Sequence, residues 1–298
     1  MVIGCYSFGF LQAQSSIDLF TLSVFQSTSA PYEEPLNGNA TESGGLLNLK
    51  VPIVLSDKTT WFNDFTYSMY NINNTLDPSP DMLTAMRLHA FILQTGIAQK
   101  INDRNGFQLL VVPRYTTDFH NSDGKSWQLG VVALYEHRKN DHFMMRYGIL
   151  YNGELFGPLL VPLIYLDWQV NDRWSIVGLM PISLKVNYQM SERVIAGFSH
   201  FGFITTYRLG QAPFETDYIE RNSIDEALFI RWKVIGNLNI ETRLGYSLSR
   251  VYEQYSEDQK MTLRLSIIHI GDNRMQKNVN FDSGPIASLR LVYNLPIK

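Results

Sequence analysis

The sequence contains a single cysteine, Cys5, and none of the short motifs that common enzyme classes require. Because Cys5 lies close to the amino terminus, the remainder of the chain can form neither a disulfide nor a thiolate metal site. The phosphate-binding loop, the dinucleotide fingerprint, the HExxH zinc motif and the GxSxG hydrolase motif do not occur in the sequence. These absences predict that the protein is not an enzyme and that it binds no cofactor and no metal ion.

Charge and long apolar segments are also scarce. Only 18% of the 298 residues are charged and the formal net charge is -3, so nothing in the composition favours nucleic acid as a partner. After the amino terminus no run of about 18 apolar residues occurs, which excludes a membrane-spanning helix. The chain is nevertheless 45% hydrophobic, with 16 Tyr, 17 Phe and 5 Trp. In lipid, such a chain can satisfy its backbone hydrogen bonds only as a closed β-barrel.

The amino terminus, MVIGCYSFGFLQAQSS, is apolar as far as Gln12 and then becomes small and polar. This pattern is typical of the apolar core and cleavage zone of a secretory signal, although the basic residues that open such a signal are lacking. We therefore predict a signal peptide over residues 1–14, shortened or truncated, and a single barrel domain over residues 15–298. A buried first strand and a lipoprotein cleavage site ending in Cys5 remain as alternatives.

Beyond residue 15, segments of about ten residues alternate between apolar and polar side chains, which is the length that a tilted strand needs to cross a bilayer. In residues 241–249, Leu244, Tyr246 and Leu248 share one face, whereas charged or small residues take the other. The same alternation occurs in residues 127–136, 143–152, 260–270 and 288–294. A polar inside and an apolar outside are the reverse of a small soluble barrel. A soluble sandwich also alternates, but its solvated face usually carries more Lys and Glu.

Short and long polar links provide a second signal, because outer-membrane barrels have short periplasmic turns and longer outer loops. Short links fall at 56–58, 102–105, 138–141, 171–173, 191–193 and 236–237, and long links at 33–45, 73–84, 116–125 and 209–225. Four of the five tryptophans lie near short links, where an indole ring is favourable at a membrane surface. The predicted anchors of this periplasmic girdle are Trp61, Trp168, Trp174 and Trp232.

These segments predict an all-β fold, a transmembrane antiparallel up-and-down β-barrel of about 14 strands, within a range of 12–16. The predicted strands are 16–28, 45–56, 60–72, 86–99, 106–118, 126–137, 142–152, 159–170, 194–208, 223–235, 238–250, 259–270 and 284–296, with residues 174–188 in addition. Residues 174–188 form either one long strand or a hairpin bent at Met180-Pro181. The hairpin gives an odd count and would mean that another segment is misread.

The leader end FLQAQ, the unit VNDRWSIVGLMPISLKVNYQMSERVIAGF and the terminal strand SLRLVYNLPIK resemble outer-membrane β-barrel proteins of the Bacteroidota type. In particular they resemble the uncharacterised barrels of that phylum that are known as domains of unknown function. The resemblance covers nearly the whole chain after the signal and implies a bacterial outer-membrane location, contact with outer-membrane lipid and insertion by the barrel-insertion machinery. The chain departs from the usual pattern because it ends on Lys298 rather than on an aromatic residue.

The predicted inward faces carry more basic than acidic side chains. The predicted lumen-lining charges are Arg114, Arg146, Arg231, Lys233, Glu241, Arg243, Arg264 and Arg290. A basic lumen would favour anions in a pore. However, Arg and Glu on neighbouring strands commonly form ion pairs that brace a barrel, and we expect bracing to be the main role.

Three functions follow from this architecture. The first is a passive pore or small-solute channel, and the second is a plugged barrel that is structural or binds a partner through its outer loops. The third and least favoured is an outer-membrane hydrolase, for which His120 in the loop 118–123 is the one candidate because it lies among carboxylate and hydroxyl groups. The sequence leaves the solute and the oligomeric state open.

Overall fold

A computed structural model describes residues 16–76, 82–120 and 124–296, so the predicted signal peptide lies outside the described residues. The described chain consists of strands and one short 3₁₀ turn at Gly124–Ser126. Among these residues, no helix is long and apolar enough to cross a membrane. The strands are β1 (Ser16–Ser27), β2 (Ala30–Pro31), β3 (Asn39–Lys50), β4 (Ile53–Ser56), β5 (Thr59–Asn74), β6 (Met86–Lys100), β7 (Asn105–Thr117), β8 (Trp127–Asn140), β9 (Phe143–Glu154), β10 (Gly157–Gln169), β11 (Trp174–Met180), β12 (Ser183–Ser191), β13 (Val194–Arg208), β14 (Asp217–Ile235), β15 (Leu238–Ser256), β16 (Leu263–Leu265), β17 (Ile268–Ile270) and β18 (Gly284–Pro296).

Antiparallel pairing closes these strands into a ring in the order β1, β3, β5 to β15, β18 and back to β1. Of the eighteen strands, β2, β16 and β17 lie outside the ring and β4 continues β3 along β5, which leaves fourteen. The seam pairs the first and last strands, from Ser16 opposite Pro296 to Ser27 opposite Ile286. The predicted closed antiparallel barrel of about 14 strands is therefore confirmed.

Two ends of the barrel differ in their connections. At one end, here called the turn end, neighbouring strands are joined by links of a few residues, such as those at 57–58, 101–104, 192–193 and 236–237. The opposite end, here called the loop end, carries the long segments before β6, β8, β14 and β18. Because β1 starts and β18 ends at the turn end, the two strands of the seam are antiparallel, as in a barrel with an even number of strands.

The outer surface of the ring is apolar and its inner surface is largely polar. On β15, Leu244 is 65% exposed, whereas Glu241 and Ser247 on the alternate face are 0% exposed. This inversion of the usual soluble pattern is what lipid as a solvent requires. Further exposed apolar side chains on outward faces are Leu22, Val24, Leu109, Val111, Leu129, Val131, Tyr147, Ile149, Tyr151, Leu228, Ile230 and Leu289.

The segment from Trp174 to Ser191 forms the hairpin β11–β12, turning at Met180-Pro181, and the prediction of a barrel strand over residues 259–270 is wrong. Those residues instead contain the short hairpin β16–β17. At 7 and 9 residues, β11 and β12 are shorter than their neighbours and leave the edge of β10 uncovered toward the loop end. Strand β16 pairs with that edge in parallel, with Leu159 opposite Arg264. Residues 259–270 therefore supply no strand to the ring, whereas residues 174–191 supply two strands where the prediction counted one. The number of ring strands therefore remains even.

The loop-end half of the barrel interior is filled. Residues 202–208 of β13 extend beyond the short β12 and bend inward, so that the Thr206 amide donates to Glu154 Oε2 at 3.0 Å and the Asp118 amide donates to the Arg208 carbonyl at 3.2 Å. Arg221 stacks on the Tyr70 ring at 3.8 Å and pairs with Glu42 at 2.8 Å. Other large side chains that are buried in this half include Tyr207, Tyr218, Tyr252 and Phe281.

Candidate functional site

The turn-end half of the barrel encloses a cavity of about 1160 Å³. Residues of the short turns, among them Asp172, Arg173 and Arg193, line its mouth, and Tyr70 and Phe203 lie at its inner end. No described residue of the loops 209–216 and 257–283 lines it. The cavity therefore opens at the turn end and is closed toward the loop end in this conformation.

A basic cluster lies on one side of this cavity and is centred on Glu241 of β15. Strand pairing places Arg231 of β14 and Arg290 of β18 directly opposite Glu241 on its two sides, and alternation points all three inward. Glu241 Oε1 accepts from Arg243 and Arg290, each at 2.7 Å, and Oε2 accepts from Arg231 at 2.7 Å and Lys185 at 3.3 Å. One fully buried carboxylate thus ties together strands β12, β14, β15 and β18.

Asp18 of β1 completes the basic cluster and was not found by sequence reasoning. Its carboxylate accepts two hydrogen bonds from Arg231, at 2.9 and 2.8 Å, and one from Asn294 at 2.7 Å. Strict alternation from the outward residues Leu22 and Val24 would point Asp18 outward, but a β-bulge between Asp18 and Phe20 reverses its face. The cluster contains four basic side chains, Lys185, Arg231, Arg243 and Arg290, and two carboxylates, so basic groups are in excess.

The other four predicted lumen charges lie outside the basic cluster. Arg146 of β9 donates to Glu136 at 2.7 Å near the turn end, so this pair is balanced. Arg114 of β7 donates to Glu154 at 2.6 Å at the inner end of the cavity, and the exposed Lys233 lines the cavity near its mouth. Arg264 does not lie on a strand of the ring. It projects from β16 and pairs with Glu220 of β14, because its segment is the β16–β17 hairpin.

An apolar wall lies on the other side of the cavity. Counted around the ring from β1, strands β7, β8 and β9 are the fifth to seventh, and β14, β15 and β18 are the twelfth to fourteenth. Each is therefore seven places from its counterpart, which is diametrically opposite in a ring of fourteen. The apolar wall consists of the cavity-lining residues Leu110, Val112, Val132, Leu134 and Leu150. The lumen is two-faced, with guanidinium groups opposite aliphatic side chains.

All four predicted tryptophan anchors lie on strand segments next to the turn end and are exposed. Trp61 and Trp174 are each 43% exposed, Trp168 is 39% and Trp232 is 55%. Trp61 donates from Nε1 to Thr95 at 3.0 Å, Trp168 contacts the ring of Phe143, and Trp174 contacts the ring of Tyr188. Their role as anchors at a membrane interface stays a prediction.

His120 lies in the loop after β7, and its Nδ1 is 3.2 Å from the Asp118 carboxylate. That carboxylate is already used, because it accepts from the backbone amides of Gly210 and Gln211 at 3.0 and 3.1 Å. Residues 121–123, which supplied the hydroxyl group of the hydrolase hypothesis, lie outside the described residues. Within the described ranges, no group of three or more His, Cys, Asp or Glu side chains is arranged to hold a metal ion.

Residues 12–284 match the family described as Domain of unknown function (DUF6268). The chain belongs to this family. No curated protein matches the sequence of this chain. Among solved structures, the DUF6268 barrel is similar to the COG4313 outer membrane channel from Pseudomonas putida F1, with a TM-score of 0.45 and 10% identity over 93% of this chain and 94% of that chain.

Two further solved structures are similar to the DUF6268 barrel. The toluene transporter TodX of Pseudomonas putida has a TM-score of 0.38 and 11% identity, over 92% of this chain and 88% of that chain. The translocator domain of the autotransporter NalP from Neisseria meningitidis has a TM-score of 0.38 and 9% identity, over 94% of this chain and 89% of that chain.

Proposed function

We propose that this DUF6268 protein is a passive channel for small solutes in the bacterial outer membrane. The observation that carries the proposal is the cavity of about 1160 Å³, whose lining includes many charged and polar side chains, inside a ring whose outer face is apolar. An inner surface of this kind is used in water-filled barrels, whereas a small barrel with a purely structural role can fill its whole interior with side chains.

The proposed orientation puts the turn end in the periplasm and the loop end outside the cell. Short periplasmic turns and long outer loops are the rule for outer-membrane barrels, and the tryptophans next to the turn end suit a membrane interface. Outer-membrane lipid and the barrel-insertion machinery are the partners that this location requires. We also propose that the protein is an outer-membrane barrel of the Bacteroidota type, which its sequence resembles.

The basic cluster would make the channel prefer anions. Arg243 and Arg290 line the cavity with 17% and 16% of their side chains exposed, whereas the Glu241 carboxylate behind them is fully buried. A solute in the lumen therefore meets guanidinium groups before it meets the carboxylate that they share. Basic side chains in a pore favour anions.

Passage through the barrel requires the loop-end half to open. In that half, Tyr207 Oη, Arg221 Nη1 and Ser223 Oγ are buried without a hydrogen-bond partner in the protein. Buried polar groups without partners weaken packing, each by about 1–3 kcal/mol. This supports a closed gate over a permanent plug. The packing itself favours the second candidate, a filled barrel that presents its loops to a partner, and conductance separates the two.

The decisive experiment is single-channel recording of the refolded protein in a planar bilayer, with the reversal potential measured across a salt gradient. We expect anion-preferring steps whose selectivity falls in Arg290→Gln and is unchanged in Arg104→Gln, a control in an exposed turn outside the cavity. Tyr207→Ala removes a fully buried ring from the closed half and should raise the open probability. If neither the natural chain nor Tyr207→Ala conducts after insertion, the filled barrel is the correct alternative.

We infer that the protein is not a hydrolase that works through His120. The His120 side chain is 53% exposed, and the Asp118 carboxylate beside it also accepts from the backbone amides of residues 210–211. This arrangement supports a structural role for the pair in joining two outer loops.

A further inference from the structure

We propose that the lumen cavity binds an anionic amphiphile, a molecule with a carboxylate-like head and an aliphatic tail. The inference rests on the proposed function, since it names the ligand class of the same cavity. It follows from the opposition of the basic cluster and the apolar wall rather than from either surface alone.

The head group has a site at Arg243 and Arg290. Each guanidinium carries five N–H donors, and Glu241 accepts from only some of them. Because the Glu241 side chain is 0% exposed behind these two residues, the donors that remain are directed at the cavity. An anionic head can therefore form charge-assisted hydrogen bonds there without displacing Glu241.

The other charged groups near the head site are already paired. Asp18 is held by two hydrogen bonds from Arg231, and Lys185 lies 3.3 Å from Glu241 and 3.9 Å from Asp18. On the opposite side, Glu136 pairs with Arg146 and Arg138 near the mouth. Further basic residues of the cavity, such as Arg193 and Lys233, lie at the mouth, so Arg243 and Arg290 are the basic groups that face the apolar wall inside the cavity.

The tail has a site on the apolar wall. Strands β7, β8 and β9 put Leu110, Val132 and Leu150 side by side, with Val132 in register with both of the others. Phe203 extends the apolar lining toward the closed inner end. An aliphatic chain that starts at the guanidinium groups can cross the lumen and bury its methylenes here. The cavity of about 1160 Å³ exceeds the roughly 300–1,000 Å³ that is usual for ligand pockets, so it has room for such a molecule.

The mixed character of the lumen also argues against a purely inorganic anion or a hydrocarbon as the best ligand. A small anion would leave the accessible part of the apolar lining, at the half-buried Leu150 and Phe203, in contact with water. A hydrocarbon would desolvate Arg243 and Arg290 without compensation. A ligand with both parts satisfies both walls, which is the usual composition of a ligand pocket.

The test measures binding of octanoate, decanoate and decanol to the refolded full chain in a non-ionic detergent, by native mass spectrometry. We expect decanoate to bind at one or two molecules per barrel, about fifteenfold more tightly than octanoate, because each added methylene contributes about fourfold. Decanol should bind at least tenfold more weakly than decanoate. Equal binding of decanol and decanoate, or no binding of decanoate, would overturn the proposal.

Matched variants separate the cavity from the detergent-covered surface. Arg290→Gln should weaken decanoate at least tenfold, with Arg104→Gln as its control. Val132→Thr puts a hydroxyl group into the apolar wall and should weaken decanoate several-fold, whereas Val131→Thr makes the same change on the outward face of the same strand and should have no effect. Equal losses in the two Thr variants would place the ligand on the outer surface and refute the inference.

Conductance with chloride alone keeps this inference distinct from the proposed function. A barrel that conducts chloride but does not bind decanoate is a channel with another ligand class, so the inference fails and the function stands. If the barrel binds decanoate at the basic cluster but never conducts, the binding site is supported and the proposed channel function fails.

Discussion

Glu241 is the residue on which the inward charges of the barrel converge. Its two carboxylate oxygens accept hydrogen bonds from side chains of β12, β14, β15 and β18. One of these side chains, Arg231, also donates to Asp18 of β1. Ion pairs between neighbouring strands were expected from the sequence as a way to brace the barrel. The structure shows instead that four basic side chains share one carboxylate, that of Glu241.

Replacing Glu241 by Gln should lower the free energy of unfolding by roughly 3–5 kcal/mol, because four buried or half-buried cations lose their shared counter-charge. The effect is measured by urea unfolding of the refolded barrel, with heat-dependent gel mobility as a second readout. Glu192→Gln, at an exposed turn, is the control and should change the stability little. A loss for Glu241→Gln no larger than that of the control would show that the network does not brace the barrel.

Glu257 connects segments of the loop end, because its carboxylate contacts both Lys125 and Arg208. A hydrogen bond from Lys125 and the charge of Arg208 hold the pKa of Glu257 below its usual range. A lowered pKa in the folded protein means that the contact stabilises the fold above the ordinary Glu pKa of about 4.3 and is lost as the pH falls through the lower folded value.

Hydrogen exchange of the loop amides around residue 257 should therefore be constant from pH 7 to about pH 5, after correction for intrinsic rates, and faster in more acidic solution. The change should be modest, since exposed pairs contribute about 0–1 kcal/mol. Glu257→Gln should remove the acid dependence. An acid dependence that persists in this variant would assign it to other carboxylates.

At the scale of a strand, the two faces should respond differently to the same charge. Leu228→Arg places a guanidinium on the outward face of β14, where the natural side chain is 69% exposed, and should cost about 2–4 kcal/mol at mid-depth in a bilayer. Asn187 of β12 lies at almost the same depth in the barrel, because it pairs with Gly197 of β13 and Gly197 pairs with Phe229 of β14. Asn187→Arg should cost much less, because Asn187 lines the cavity and the new guanidinium meets water there. Folding free energies in lipid vesicles provide the comparison, and equal costs would contradict the lipid-facing assignment.

Gly245 shows why sequence alternation does not identify every tolerant position. Its face is inward, as expected, but a Cβ there would lie 2.1 Å from the Glu226 carbonyl oxygen and 2.5 Å from the Ala227 Cβ. The strands approach so closely here that even Ala is too large. Arg at Gly245 is therefore not the mild lumen substitution that alternation alone predicts, and Asn187 is the better comparison.

The ring and the orientation of most side chains could be predicted because alternation acts within each strand and needs no tertiary information. The count of 14 agrees because the strand wrongly predicted at residues 259–270 offsets the hairpin β11–β12, which was counted as one strand. Three features required the structure. The bulge beside Asp18 changes parity within one strand, and the apolar wall is hidden because Val132 and Leu134 make both faces of β8 apolar. The third is the β16–β17 hairpin, whose apolar residues alternate like those of a barrel strand but pair at an edge that only the short β11–β12 exposes.

For the molecule as a whole, β18 is the strand that closes the ring. It pairs with β1 along eleven register positions and with β15 along ten, and it supplies Arg290 to the basic cluster. Deleting residues 284–298 should therefore abolish the folded barrel rather than produce a thirteen-stranded one, because two strand edges would be left unpaired in lipid. Loss of heat-dependent gel mobility is the expected result, and a stable, heat-modifiable truncated barrel would contradict it.

The pairing of Ser16 with Pro296 also means that the ring has no structural beginning. A short linker joining these two ends would replace one turn by another, and the chain could then be opened at residues 236–237 without removing any strand pair. Such a circular permutant should fold to the same barrel. The order in which strands leave the ribosome would change, and the order in which they neighbour one another in the membrane would not.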